Sequence, residues 1–243
     1  MKYILSLLLI SFTSLSYAAD EELKSVEQLL KQAKLVFSDD FNRNEQDETQ
    51  EQIGNHWLTN SEKRAQGRKQ VDLDNGVLHI TKLKGVKAAV NVNNKMSFKN
   101  GIVKLKFNMT HQQGAKFNFY DTNATEQSFS GHICQLKVEP KAFQIVDQIK
   151  GRFRRDILFK ELTTEAQNEV TAKTTTTIPV KYELNKWYEL TMVIIDDVFE
   201  VYIDDVKIGK LKSEGVAHNL KDTFAFSITH SVKIDDMQVW LLD

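Results

Sequence analysis

Apolar and polar residues alternate along most of the chain beyond residue 35. In the segment 101–109, Val103, Leu105 and Phe107 would line one face, and the lysines between them would line the other. This period of two is typical of strands with one face on a core and one face in water. The pattern predicts the strands 35–41, 69–73, 76–83, 87–93, 96–98, 101–109, 115–121, 131–139, 142–149, 178–183, 187–195, 198–203, 206–211, 223–229 and 232–241.

Three of these strands form a predicted meander over 187–211. Its two turns are the aspartate pairs 196–197 and 204–205, and aspartate tolerates the left-handed backbone of tight hairpins. In the middle strand, Glu200 and Tyr202 would point away from the core. No repeat of fixed period appears in the sequence, which disfavours solenoids and propellers. We therefore expect an all-β fold, a two-sheet antiparallel sandwich with a short N-terminal helix.

Two segments depart from the strand pattern. Residues 19–34 carry apolar side chains at helical spacing and predict a short helix lying against the sandwich. Residues 161–177 are rich in threonine and poor in core residues, which predicts a long loop, in part helical. Loops of this length are usually either functional or disordered, and both alternatives stay open here.

The first 18 residues have the features of a signal peptide. Lys2 supplies a positive charge, an apolar run follows, and small residues precede a cleavage point after Ala18. The run is shorter than the roughly 20 residues that a membrane-spanning helix needs. We therefore expect cleavage after Ala18, export to the periplasm or out of the cell, and no membrane-spanning segment.

Charge and cysteine content narrow the function further. The 32 Lys and Arg residues nearly balance 33 Asp and Glu residues, giving a formal charge of −1, so no global field favours nucleic acid as a partner. Cys134 is the single cysteine and excludes an internal disulfide. Stability has to come from an apolar core, which one sandwich of this length can supply.

Several short motifs carry a family resemblance. FSDDF at 37–41, Trp57, DNGVLHI at 74–80 and KIDDMQVW at 233–240 occur in the expected order. With the meander, they make the region from 36 to 240 resemble a concanavalin A-like (laminin G-like) jelly roll, the sandwich of many lectins and glucanases. The resemblance implies a single domain over 35–243 with a sugar-related function.

Three further motifs are similar to one branch of that superfamily. GHICQLKVEP at 131–140, IVDQIKG at 145–151 and EGVAHNLKDTF at 214–224 resemble the 3-keto-disaccharide hydrolase-like domains of exported bacterial proteins. These motifs contain histidine, which can act as a base near neutral pH, aspartate, which can orient it, and cations that can hold a sugar oxygen. The resulting candidates are His132, Asp147 and His218 as catalytic residues and Lys150, Arg152 and Lys221 as ligand-binding residues.

These candidates also have ordinary structural explanations. His132 shares a predicted face with Cys134 and can be a hydrogen-bonded core histidine, and the basic residues after 149 can form a solvated strand end. Glycosidase chemistry needs two carboxylates about 5 to 9.5 Å apart. Laminarinase-type jelly rolls provide them as Glu-x-Asp-x-x-Glu on one strand. The nearest likeness, between Glu45 and Glu51, lies in a polar stretch that we interpret as a solvated acidic loop.

Aromatic residues can stack on the apolar face of a sugar ring. Tyr120 and Tyr202 fall on the polar faces of their predicted strands and are the aromatic candidates for ligand binding. Trp57, Trp187 and Trp240 are expected to fill the core or cover a sheet edge, as aromatics in sandwiches usually do.

The pattern of potential metal ligands is sparse. No pair of histidines has ligand spacing, so a zinc site is not expected. Asp39-Asp40 and Asp235-Asp236 fall on strands that would be neighbours, so a structural Ca²⁺ is possible there.

Three functions remain open from the sequence. The first is an exported module that binds a glycan without turnover, the second a hydrolase of 3-keto-glycosides or related sugars. The third is a structural or interaction protein of the cell envelope. Convergence of His132, Asp147 and His218 would favour the hydrolase, whereas a polar groove lined by Tyr120 and Tyr202 would favour binding.

Overall fold

The computed structural model describes residues 25–112, 114–139, 141–158 and 162–242, which form two antiparallel sheets. The predicted signal peptide at 1–18 lies outside the described residues. The strands are Lys34–Asp39 (β1), Leu58–Thr59 (β2), Val71–Asp74 (β3), Val77–Thr81 (β4), Val90–Phe98 (β5), Asn100–Met109 (β6), Ala115–Tyr120 (β7), His132–Glu139 (β8), Ala142–Asp147 (β9), Thr175–Pro179 (β10), Trp187–Ile195 (β11), Val198–Ile203 (β12), Val206–Lys212 (β13), Lys221–Ile228 (β14) and Ser231–Leu242 (β15). The helices are Val26–Leu30 (α1), Ser61–Ala65 (α2), Arg155–Leu158 (α3) and Thr164–Lys173 (α4).

The strands divide into an eight-stranded sheet and a seven-stranded sheet. Sheet A has the order β13-β12-β11-β6-β15-β4-β3, with β1 also paired to β15. Sheet B has the order β10-β9-β8-β7-β14-β5-β2. The described residues include no helix long and apolar enough to cross a membrane. The architecture confirms the predicted two-sheet antiparallel sandwich.

Aromatic side chains fill the space between the sheets. Phe107 of sheet A meets Phe117 of sheet B edge to face, with ring centroids 6.4 Å apart. Phe199 and Phe119 form a second such pair at 5.9 Å. Each fully buried phenylalanine contributes about 1.5–3 kcal/mol through removal of apolar surface from water. The alternation that predicted the strands therefore also places the core.

The meander at 187–211 forms as predicted. Residues 187–195, 198–203 and 206–212 pair antiparallel in sequence order within sheet A. Asp204 and Asp205 both adopt positive φ, at 49° and 64°, which is the backbone of a tight hairpin turn.

The N-terminal helix is shorter than expected. Within the described residues it spans Val26–Leu30, and Ser25 caps it by accepting from the N–H of Gln28. Leu29 is buried against Ile102 and Tyr202 on the outer surface of sheet A. As expected, the helix lies against the sandwich.

The segment 162–177 contains the helix that was expected for part of it, but it is more regular than a long loop. Residues 164–173 form α4, with the Thr163 hydroxyl accepting from the N–H of Ala166 at its start. The threonines that follow form β10, which pairs with β9 at the edge of sheet B. Threonine is β-branched and suits an edge strand, so low hydrophobicity did not mean lack of structure here.

Candidate functional site

The outward-pointing side chains of sheet B form a polar surface, which we call the polar face. Phe117, Phe119 and Leu136 point into the core, so their neighbours along the strands point outward. The polar face consists of Asn91, Asn93 and Lys95 on β5, Thr223 and Ser227 on β14, Lys116, Asn118 and Tyr120 on β7, His132, Gln135 and Lys137 on β8, and Gln144 on β9.

Two buried amides form the middle of the polar face, which we call its floor. Gln135 and Asn118 lie opposite each other in the β7–β8 pairing and are only 4% and 2% exposed, although both point away from the core. The Asn118 amide donates two long bonds of 3.4 Å to the carbonyls of Lys116 and Ala225. None of the described residues forms a hydrogen bond with the side chain of Gln135. Buried polar side chains normally have partners, so an amide without one is an exception that a bound ligand would explain.

A wall of stacked rings borders this floor. His132 and Phe153 are nearly parallel, with centroids 4.1 Å apart and planes 1° from each other. Tyr120 lies on the other side, with its ring centroid 4.6 Å from that of His132. The guanidinium carbon of Arg152 lies 5.2 Å from the centroid of the Phe153 ring. Flat apolar surfaces therefore adjoin amide donors and acceptors, a combination that suits a sugar ring with its hydroxyls.

Gly131 and a bulge explain why His132 reaches the polar face. Gly131 has φ of 69°, and a Cβ there would lie 2.0 Å from the carbonyl oxygen of Asp121. The register between β7 and β8 shifts at this point, so Tyr120 lies opposite His132 whereas Phe119 lies opposite Cys134. The bulge turns His132 outward while Cys134 stays in the core. The predicted alternation had placed these two residues on the same face.

The protonation of His132 follows from its surroundings. Its Nδ1–H donates to the carbonyl of Phe129 at 2.6 Å. In the neutral ring, Nε2 is then the nitrogen that carries no proton. Burial lowers the pKa of His132, and the charges of Lys116 and Arg152 lower it further, against the effect of that hydrogen bond. His132 is therefore a neutral ring at pH 7.

Tyr120 is a neutral phenol in the same environment. Burial raises its pKa to about 12, against the effect of the hydrogen bond with the Asn91 side chain. At neutral pH it presents a hydroxyl and a ring rather than a charge.

The three candidate catalytic residues do not form a hydrogen-bonded group. Asp147 is fully buried and accepts hydrogen bonds from the Ser213 hydroxyl and from the N–H groups of Gly215 and Lys150. His218 donates to Asp121 at 2.8 Å. Across the described ranges, no hydrogen bond or ion pair joins His132, Asp147 and His218 to one another. Asp147 and His218 each have a structural partner instead.

Lys221 has a structural role as well. It is 1% exposed, and its ammonium donates to the backbone carbonyls of Lys99, Val216 and His218 at 2.8–2.9 Å. Burial lowers its pKa. Lys221 therefore has neither the exposure nor the free donors that a ligand would need. Lys150 is exposed and lies 3.6 Å from Glu214.

Tyr202 lies far from the polar face. It belongs to sheet A, is 8% exposed and packs under Leu29 of α1. The predicted polar groove lined by both tyrosines therefore does not form, because the helix covers Tyr202. Among the tryptophans, Trp57 is in the core and stacks on Phe226, Trp240 packs beside α1, and Trp187 is 39% exposed.

The acidic stretch at 45–51 is less solvated than expected. Glu45 is buried, and its carboxylate accepts from the ammonium of Lys69. Glu48 and Asp72 complete a group of three acids close enough to share a metal ion, but Lys69 already pairs with Asp72 and donates to the Glu48 carbonyl. The lysine ammonium thus takes the place that a cation would have.

The aspartates considered for Ca²⁺ are neighbours but do not suit the ion. The strands that carry them, β1 and β15, are neighbours as predicted, and Asp39 lies opposite Met237. Its carboxylate receives Arg43 in a two-pronged ion pair and also accepts from Asn55 and Trp57. Burial opposes ionisation, but these donors hold the pKa of Asp39 below its usual value. Because the lone pairs of Asp39 are occupied, we assign no Ca²⁺ to this place.

A hollow of about 650 Å³ lies on the outer face of sheet A. Its charged groups are already paired, Lys104 with Glu189 at 2.6 Å and Lys106 with Asp236 at 2.6 Å. Compared with the polar face, the residues that line this hollow include few charged groups without an ion-pair partner and no stacked rings. We therefore place the candidate site on sheet B.

Sequence reasoning identified His132, Arg152 and Tyr120 but missed the floor of the site. Gln135 in ICQLK and Asn118 in FNFY are amides in the middle of strongly apolar strands. An amide at such a position is a detectable signal, because a central strand seldom carries a polar side chain without a partner.

No protein-family model and no curated protein matches the chain. Among solved structures, an endo-β-galactosidase from Clostridium perfringens that releases GlcNAcα1-4Gal has a TM-score of 0.57 at 12% identity, covering 86% of this chain and 63% of that one. A laminarinase from Flavobacterium sp. UMI-01 has a TM-score of 0.56 at 12% identity, covering 85% and 100%.

A sialidase has a TM-score of 0.50 at 14% identity, covering 71% of this chain and 16% of the sialidase. The chain thus spans less than two thirds of the sialidase and of the endo-β-galactosidase. Identities this low establish the fold alone, and that fold is a concanavalin A-like jelly roll.

Proposed function

We propose that this protein is an exported carbohydrate-binding protein that holds a glycan on the polar face of sheet B without hydrolysing it. The observation that carries the proposal is the floor of Gln135 and Asn118, two buried amides that point outward beside a wall of stacked rings. Amides can both donate to and accept from sugar hydroxyls, and aromatic rings can cover the apolar face of a pyranose.

The arrangement of carboxylates argues for binding without turnover. Carboxylates lie at both ends of the polar face, Glu139 at one end and Asp222 with Asp121 at the other. The strand pairings set Glu139 about 20 Å from Asp222 at about 3.3 Å per residue, whereas hydrolysis by an acid and base pair needs carboxylates about 5 to 9.5 Å apart. The two carboxylates that share one end already have partners, because Asp121 accepts from His218 at 2.8 Å and Asp222 accepts from the Thr122 hydroxyl. Lys137 pairs with Glu139 at 2.7 Å, and Lys95 lies 3.8 Å from Asp222.

The comparisons add support of a general kind. The laminarinase and the endo-β-galactosidase that share the fold are named for action on glycans. A fold hosts many functions, so the assignment to this chain depends on the polar face. Export to the periplasm or the cell exterior, predicted from residues 1–18, is where such a protein would meet glycans.

A glycan panel tests this proposal, with wild type and His132→Ala protein scored for binding and for product release. We expect wild type to bind without releasing product and His132→Ala to bind more weakly. Product released by wild type but not by His132→Ala would contradict binding without turnover and would favour a hydrolase of 3-keto-glycosides. Failure to bind any glycan would contradict the assignment as a carbohydrate-binding protein. The remaining hypothesis would then be a structural or interaction protein of the cell envelope.

A further inference from the structure

The polar face carries a half-buried cation, Lys116. Lys116 points outward from β7 next to Asn118, and the described residues provide neither a hydrogen bond nor an ion pair for its ammonium. Burial lowers its pKa, and the charges of Arg152 and Lys137 lower it further. Removing a charge from water without a counter-charge is unfavourable. The half-buried Lys116 ammonium therefore stabilises the folded protein less than an ammonium paired with a carboxylate would.

Arg152 adds a second free cation on the same side. Its guanidinium stacks on Phe153, which in turn stacks on His132. No ion pair or hydrogen bond to Arg152 occurs among the residues that the structure describes. A guanidinium that lies over a ring can still donate its N–H groups to the two oxygens of a carboxylate or a sulfate.

The local charge around the floor is positive. The charges of Arg152 and Lys137 act on Lys116, and among the described residues Glu139 is the carboxylate that does so. Lys137 pairs with that carboxylate at 2.7 Å. Two cations therefore remain uncompensated in a chain whose overall formal charge is −1.

We infer that the glycan bound on the polar face is anionic, and that a uronate carboxylate or a sulfate ester on it pairs with Lys116 and Arg152. The inference rests on the proposed function and specifies the class of sugar. Charge-assisted hydrogen bonds to these groups would supplement the neutral contacts with Gln135, Tyr120 and His132.

A separate basic cluster provides a matched control. Lys63, Arg64, Arg68 and Lys87 line a hollow of about 430 Å³ beside α2. This cluster carries four cations, and its lining includes neither buried amides nor stacked rings. A ligand attracted only by positive charge would respond equally to losses at either place.

The experiment compares three oligosaccharides of equal length by calorimetry at fixed salt. They are oligogalacturonate for carboxylate, a chondroitin sulfate oligosaccharide for sulfate together with carboxylate, and laminari-oligosaccharide as the neutral probe. We expect at least one anionic probe to bind tenfold or more tightly than the neutral one. Binding of chondroitin sulfate alone would assign the charge to sulfate, whereas binding of oligogalacturonate would assign it to carboxylate.

The variants Lys116→Gln and Arg152→Gln are each expected to weaken that binding by tenfold or more. Lys116→Arg, which keeps the charge, should retain most of the affinity. If this variant also folds as wild type does, the loss in Lys116→Gln is due to the missing charge and not to misfolding. The paired control Arg64→Gln/Lys87→Gln should change affinity less than twofold.

Three outcomes would overturn the inference. If the neutral probe binds as tightly as the anionic probes or more tightly, the glycan is not required to be anionic, and the proposed function still stands. An equal loss of affinity in the control variant would show that the anionic probe is held by general attraction between charges and not by Lys116 and Arg152. Failure of all probes, the neutral one included, would count against the proposed function as well.

Discussion

Gln135 lies directly opposite Asn118 where β8 pairs with β7, and both amides are nearly buried on the outer side of their sheet. Outward positions of a sheet usually hold exposed polar side chains, and buried positions usually hold apolar ones. Departures from such rules are expected where a protein has a site to maintain. The floor of the polar face is such a departure, and it is the basis of the functional assignment.

The stack of Phe153 on His132 leads to the first prediction. Phe153→Ala removes the ring that holds both His132 and Arg152 in place, so we expect glycan affinity to fall about tenfold. Phe153 is half-buried, and its loss should lower the free energy of unfolding by about 1–2 kcal/mol. Trp187→Ala, which removes an exposed ring from sheet A, is the control. A larger effect of Trp187→Ala on affinity would point to a site on sheet A.

Lys221 gives a second prediction, because it was a ligand candidate and is instead buried. Lys221→Met would leave three backbone carbonyls without their donor, and we expect a loss of stability of about 1–3 kcal/mol. Below the melting temperature, glycan affinity should equal that of wild type. A loss of affinity in folded Lys221→Met protein would return this residue to the binding site.

Asp39 gives a third prediction, on pH. Its pKa is lower in the folded state than the unfolded value of about 3.9, so it contributes stability that is present above about pH 4. That contribution is lost as the pH falls through the folded-state pKa. Asp39→Asn should cost about 3 kcal/mol at pH 7, because Arg43 loses its counter-charge, and should flatten the decline below pH 4.

Urea unfolding between pH 7 and pH 3 measures this effect. The control Asp40→Asn removes an exposed carboxylate from the neighbouring position and should change stability by no more than about 0.5 kcal/mol at pH 7. An acid profile of Asp39→Asn parallel to that of wild type would contradict the assignment.

The sequence predicted the strands well because strand formation here depends on a local period of two. The two sheets, the 187–211 meander and the pairing of β1 with β15 all followed from that alternation and from the family resemblance. The site was harder to predict because it depends on contacts between distant segments. His132 faces outward only because of a bulge, and Tyr202 is covered only because α1 packs on it.

The contact between Tyr202 and α1 gives a fourth prediction. Tyr202→Ala removes a buried ring beneath Leu29 and the hydroxyl that donates to Glu200 at 2.6 Å. We expect a loss of about 3 kcal/mol in the free energy of unfolding with glycan affinity unchanged. Calorimetric unfolding together with a binding titration tests both parts. Weaker binding at unchanged stability would show that Tyr202 belongs to a sugar site after all.

The most direct test of the account is to measure stability and binding together in Gln135→Leu. Leucine replaces an amide that has no hydrogen-bond partner among the described residues, so we predict that the free energy of unfolding is unchanged or higher by about 1 kcal/mol. Glycan affinity should fall at least tenfold, whereas the control Gln238→Leu on sheet A should bind as wild type does. A Gln135→Leu protein that is less stable and binds glycan normally would contradict the account, because Gln135 would then serve the fold and not a ligand.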